Sequence, residues 1–143
     1  MKSQQLVQYS FWWSEARLLV AALALMIGGV PPIFLIAPPS LSTITVLGLK
    51  IAWIISGVAA GYLLYRWYDS GQKLFGHKDH TDTLTFLVLV ISGLNLGFAG
   101  VFGRNLGMSI MANRPIFFVV ALLYLYCAWH LWMHAKKHAG KIF

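Results

Sequence analysis

The stretch SGLNLGFAGVFGRNLGM, Ser92 to Met108, carries glycine at 93, 97, 100, 103 and 107 and the triplet Asn-Leu-Gly twice. Glycine is the residue that costs an isolated soluble helix most after proline. Two physical roles would justify so much of it: a loop whose backbone cradles phosphate, or a helix face packed closely against another helix inside a bilayer. A phosphate loop needs G-x-x-x-x-G-K-[ST], and no Gly-Lys-Ser/Thr occurs. A dinucleotide fingerprint needs a preceding strand and a later acid, and no acid follows Asp82. At 100° per residue, Gly93, Gly97, Gly100 and Gly107 fall within roughly 80° of one another, with Gly103 extending the arc. The reading is a smooth stripe on one membrane helix.

The rest of the chain agrees. Of 143 residues, 59% are hydrophobic and 10% charged, against about 25% charged in soluble domains. No charged residue occurs in the 32 positions between Arg17 and Lys50, the 21 between Asp82 and Arg104, or the 21 between Arg114 and Lys136. A spanning helix needs ~20 mostly apolar residues. The pattern predicts an all-α membrane protein with spans at about 18–36, 44–65, 83–103 and 115–133. The expected architecture is an antiparallel up-down four-helix bundle filling the whole chain, 1–143, with a loop at 66–82. The N-terminal segment has a thin basic region and no small-residue cleavage site, and reads as an uncleaved signal anchor.

The net charge of +7 is strung along the chain rather than gathered, which argues against nucleic acid. With the N-terminus inside, Lys2, Arg17, Arg66, Lys73, Lys78, Lys136, Lys137 and Lys141 are inner, and Lys50, Arg104 and Arg114 outer. Eight against three obeys the positive-inside rule. Both termini and the 66–82 loop are therefore expected in the cytoplasm, the bilayer being a bacterial inner membrane. Trp12, Trp13, Tyr65, Trp67, Tyr68 and Trp132 sit near span ends, where amphipathic rings favour headgroups.

Within span 1, Gly28-Gly29 and Pro31-Pro32 predict either a break lining a cavity or an early end in a proline-rich outer loop. Span 2 carries Gly57-x-x-x-Gly61, small-residue spacing that lets backbones approach; with Gly93, Gly97 and Gly100 it defines the expected packing seam. Asn113 and Pro115 suit the start of span 4.

Three groups of residues could carry chemistry. Only 15 positions separate Lys50 from Arg66, so span 2 begins before Lys50 and places it ~9 Å inside the outer boundary. Asn95 falls at similar depth on span 3, and the pair could line an anion pathway or simply snorkel and glue. Arg104, Asn105 and Arg114 at the outer ends could contact an anion or lipid phosphate. Cys127, His130, His134 and His138 share one helix face, with His77 and His80 on the same side, and could hold metal. A haem would need an axial ligand from another span, and spans 1 to 3 contain no histidine. No cofactor is predicted outright, with metal and haem left as open readings of these histidines.

Catalytic signatures are missing: no G-x-S-x-G, and the four acids, Glu15, Asp69, Asp79 and Asp82, all read as cytoplasmic. Small four-span multidrug carriers rely on an intramembrane acid, which makes this chain a poor match for them. The leading expectation is a structural or accessory membrane protein that assembles with itself or a larger complex. The alternatives are an oligomeric channel or transporter for an anion or small solute, and a haem- or metal-handling protein.

Overall fold

A computed structural model describes residues 3–110 and 113–143. Lys2, counted above as an inner cation, lies outside them. The described residues are helical apart from turns and one isolated bridge between Leu74 and His77, in the order α1 (Ser3–Met26), α2 (Ile33–Ile36), a 3-10 turn (Pro39–Leu41), α3 (Ser42–Asp69), α4 (His80–Phe102), α5 (Leu106–Ile110) and α6 (Arg114–Lys137). Three helical stretches, Pro39–Asp69, His80–Phe102 and Arg114–Lys137, are long and apolar enough to cross a membrane. At 1.5 Å per residue each exceeds the ~30 Å hydrocarbon core.

The first expected span is corrected. The helix does not run through 18–36; it begins at Ser3 and stops at Met26. Gly28 and Gly29 both take left-handed backbone (φ 96° and 85°), and the Gly29 amide closes back on the Ala24 carbonyl at 2.8 Å. The helix therefore ends at the glycines, ahead of Pro31 and Pro32. The chain returns to α3 through one turn of α2 and the 3-10 turn. Starting at Ser3 also carries Glu15 and Arg17 into the middle of α1, where both are buried. These two charges leave α1 outside the set of helices apolar enough to span.

α3 and α4 run antiparallel in the closest helix contact of the structure. A Cβ built on Gly97 would lie 2.6 Å from the Gly57 Cα, one on Gly93 would lie 2.7 Å from the Ala60 Cβ, and one on Gly100 would lie 2.9 Å from the Lys50 carbonyl oxygen. Side chains of any size would force these backbones apart. Gly61 has only the Leu94 side chain, 4.0 Å from its Cβ position, and stands off the seam. The stripe also stops sooner than the sequence suggests. Gly103 (φ 71°) is the left-handed cap that terminates α4, and Gly107 belongs to α5 beside Asn95 and Asn105.

α1 packs on α6 and α3, and α4 on α6, while the backbones of α3 and α6 stay apart. One end is closed. There the 70–79 segment and the 138–143 tail fold together, with the Phe75 amide on the Ile142 carbonyl (2.8 Å) and the Gln8 amide on the Gly140 carbonyl (3.1 Å). Phe11, Leu63, Phe86, Leu131 and Ile142 are fully or nearly fully buried in the core beneath them. At the other end α1 gives way to the 28–32 turn, and space is left between α1 and the helices α3, α4 and α6.

Replacing Gly57 or Gly97 with alanine should each cost about 1–3 kcal/mol, the usual penalty of overpacking, and lower the melting temperature in detergent. Gly61→Ala should change it little. Equal melting temperatures for Gly97→Ala and Gly61→Ala would mean that α3 and α4 do not meet at Gly97.

Candidate functional site

The space between α1 and the helices α3, α4 and α6 is a cavity of about 670 Å³. Its wall includes Arg17, Ser56, Ser92 and Tyr124, together with Asn95, Asn105, Pro31 and Pro32. Arg17 comes from α1 and is only 8% exposed. Its Nη1 donates to Ser92 Oγ (2.9 Å) and its Nη2 to the Leu89 carbonyl (2.8 Å), both on α4. The missing side chain at Gly93 makes room for it, since a Cβ there would lie 3.3 Å from Arg17 Nη2. The third donor, Nε, is buried without a hydrogen-bond partner. Among the described residues no carboxylate lies within ion-pair distance of this guanidinium. Glu15, two residues back, lines the separate groove between α1 and α6 with Trp12, Trp129 and Trp132, its Oε1 also unpartnered. Glu15, read from the sequence as a cytoplasmic-side acid, is thus buried in the middle of α1. The cause is the true start of α1.

Nearby, Trp13 Nε1 donates to Ser56 Oγ (3.0 Å), which in turn donates to the Ala52 carbonyl (2.7 Å). Residues 13 to 17, 52 to 56 and 89 to 92 therefore form one polar level near the helix midpoints. Lys50 and Asn95 are not brought together. Lys50 lies level with Gly100 and is exposed, with no side-chain bond among the described residues. Asn95 is five residues deeper, ~7.5 Å along the axis. Its Nδ2 donates to Asn105 Oδ1 (2.8 Å) and its Oδ1 accepts from the amides of Leu106 and Gly107 (3.1 and 3.3 Å). Asn95 thus holds α5 across the open end rather than serving a lysine. Asn105 turns inward to that contact, while Arg104 and Arg114 are exposed and show no ion pair among the described residues, so these contacts do not bring the three together. Asn113 stands at the α6 cap position but makes no capping bond with its side chain.

The histidines gather at the closed end around a residue the sequence reading passed over. Asp82, on the first turn of α4, has a fully buried side chain. His130 Nε2 lies 2.7 Å and His134 Nδ1 2.9 Å from its Oδ1, and His77 Nε2 lies 3.2 Å from its Oδ2. His138 stacks on Phe75 (5.7 Å between centroids), and Cys127 is buried in the core away from this group. His80 is exposed. The shared face Cys127-His130-His134-His138 therefore divides: two histidines meet Asp82, one packs on an aromatic ring, and the cysteine joins the core. Asp79 fixes the start of α4, accepting at Oδ2 from the amides of Thr81 (2.9 Å) and Asp82 (3.1 Å).

Compared with known protein families, curated proteins and solved structures, the chain matches none.

The amide of Asp82, then that of Thr81, holds the exposed Asp79 carboxyl below its usual pKa, with His77 and His130 adding to the shift. A depressed carboxylate stabilises the fold above its ordinary pKa and loses that contribution as pH falls through the lowered value. Asp79→Ala should speed amide exchange at Thr81 and Asp82 at neutral pH. The unaltered protein should show that increase only below the ordinary carboxylate range. Unchanged exchange in the variant would mean the cap is not formed.

Proposed function

We propose that the chain is a four-span membrane protein that takes a small organic anion into its interior cavity and holds it on Arg17. The observation that carries this is the buried Arg17 guanidinium in the cavity wall, with no carboxylate within ion-pair distance among the described residues and with Nε free of hydrogen-bond partners. An arginine at mid-membrane costs about 2.5–3.5 kcal/mol on insertion scales and is a functional group by default. Gluing α1 to α4 does not require it, because a serine or glutamine makes such bonds without the charge. A carboxylate or sulfonate would supply both the missing acceptor and the missing countercharge.

α1 is the fourth span in this reading despite its two charges. Its midpoint lies level with those of the other long helices, and Gly29 reaches Phe117 at the start of α6. The closed end then faces the cytoplasm with both termini. Moving Arg17 from the inner count into the membrane still leaves seven inner cations against three outer ones. The Pro31-Pro32 segment and α5 would flank the outer mouth, and the bilayer would be a bacterial inner membrane.

Saturable uptake of labelled carboxylates and sulfonates into proteoliposomes tests this. Arg17→Met should abolish it while leaving insertion and monodispersity intact, since losing a charge favours insertion. Arg17→Lys should retain a fraction, lacking the planar fork. Lys50→Met should match the unaltered protein. Absence of uptake, or equal uptake by Arg17→Met, would favour a structural subunit that assembles with itself or with a larger complex.

A further inference from the structure

The closed end holds a second group of polar side chains that the anion cavity does not use. Asp82 is fully buried, yet its Oδ2 has no hydrogen-bond partner, and neither does the buried His134 Nδ1. Both atoms nevertheless have close polar neighbours: Oδ2 is 3.2 Å from His77 Nε2 and His134 Nδ1 is 2.9 Å from Asp82 Oδ1. His77 shows why the approach is not an ordinary hydrogen bond. Its Nδ1 lies 3.2 Å from the Phe75 carbonyl oxygen. A carbonyl only accepts, so Nδ1 carries the proton. In a neutral ring Nε2 then carries a lone pair, 3.2 Å from a carboxylate oxygen that is itself only an acceptor. Either a second ring proton or a bound cation has to satisfy both atoms.

We infer that Asp82, His77 and His134 form a binding site for a borderline divalent cation of the zinc class. One ligand atom from each of the three lies within 4.8 Å of the others. Zinc bonds of about 2.0–2.2 Å to nitrogen and oxygen place neighbouring tetrahedral ligands ~3.3 Å apart; His77 Nε2 stands 3.2 Å from one carboxylate oxygen of Asp82, Oδ2, and His134 Nδ1 2.9 Å from the other, Oδ1. Two imidazoles and one carboxylate suit zinc or a neighbouring transition ion better than magnesium or calcium, which favour all-oxygen shells. His77 donating Nδ1–H to a backbone carbonyl is the outer contact that orients metal-binding histidines. His130, with Nε2 2.7 Å from Asp82 Oδ1, is a positioning residue that fixes the carboxylate. His77 is 47% exposed on its side chain, which gives the ion a route from solvent and leaves the fourth position to water.

The site differs from the Cys127-His130-His134-His138 face read from the sequence. Of that face only His134 is a ligand, joined by His77 from the same end, and ligands come from the 70–79 loop, α4 and α6 together. Binding of the ion would therefore tie the loop to both helices.

The test uses full-length protein in detergent, without a polyhistidine tag, stripped with chelator and titrated with zinc chloride by calorimetry, and with cobalt chloride by visible absorption. One zinc per chain is expected, with cobalt bands of low-symmetry nitrogen and oxygen coordination and a rise in melting temperature on loading. His77→Ala, on an exposed loop, should fold normally and bind zinc at least ~10-fold more weakly, and Asp82→Asn should abolish binding. His130→Ala should weaken it ~10- to 100-fold, the usual effect of an outer orienting group. His80→Ala should bind as the unaltered protein does. Failure of the unaltered protein to bind zinc stoichiometrically, or binding undiminished in His77→Ala, overturns the assignment. Loss in His80→Ala equal to that in His77→Ala also overturns it, because it would place the ion on the exposed loop instead.

Discussion

The backbone contact between Gly57 and Gly97 sets the geometry of everything around it. Lipid gives apolar helices no hydrophobic reason to associate, so close packing must come from dispersion between surfaces that fit. Two glycines facing each other let α3 and α4 approach to backbone distance. The same small-residue face continues to Gly93, and there its consequence changes. Below Gly97 the face meets Ala60, but at its edge the empty volume admits the Arg17 guanidinium from α1. One run of small residues thus fixes a helix pair and opens the slot in which a charged side chain reaches Ser92 and the Leu89 carbonyl. A leucine at Gly93 would interfere with both.

The three helices that qualify as spans were legible because charge marks their limits: the uninterrupted runs 51–65 and 115–135 lie within α3 and α6, and 83–103 overruns α4 only at its cap, Gly103. The same rule misplaced α1. Taking Arg17 as a boundary assumes that a charge stays in water, and that assumption fails where neighbouring helices supply acceptors. Trp13, Ser14 and Arg17 are the cues in hindsight, a polar turn within an otherwise apolar helix. Helix termination also escaped periodicity. Gly103 and Gly107 fit the angular stripe, but Gly103 ends the helix by adopting left-handed backbone, so angles counted past it have no meaning. Asn95 was legible as polar and off the seam. Its partner was not, because α5 folds back over it only after the chain has turned at Gly103.

The histidine group was half legible. Spacing alone places His130 and His134 on one face of α6, but spacing within one helix cannot name a partner on another. Asp82 looked like an ordinary acid in a helix first turn, where the dipole and Asp79 both favour that position. What distinguishes it is burial beneath the 70–79 segment and the C-terminal tail. The pairing of Phe75 with Ile142 and of the Gln8 side chain with Gly140 brings that cover into place.

Arg17 and Asp82 are buried opposite charges that meet the same helix, and they do not neutralise each other. Arg17 reaches α4 at Leu89, seven residues or ~10 Å beyond Asp82, so no rotamer joins them. Had the chain needed only to bury them, moving either by two turns would have made an ion pair and removed both costs. Keeping them apart leaves a positive group facing an interior cavity and a negative group among imidazoles at the solvent end. In the proposed function and the proposed metal site, an exogenous partner of opposite charge would serve each. An anion at Arg17 and a cation at Asp82 are thus complementary readings of one electrostatic layout. Because Ser92 and Asp82 share α4, an ion that fixes the first turn of that helix would also steady the slot in which Arg17 rests.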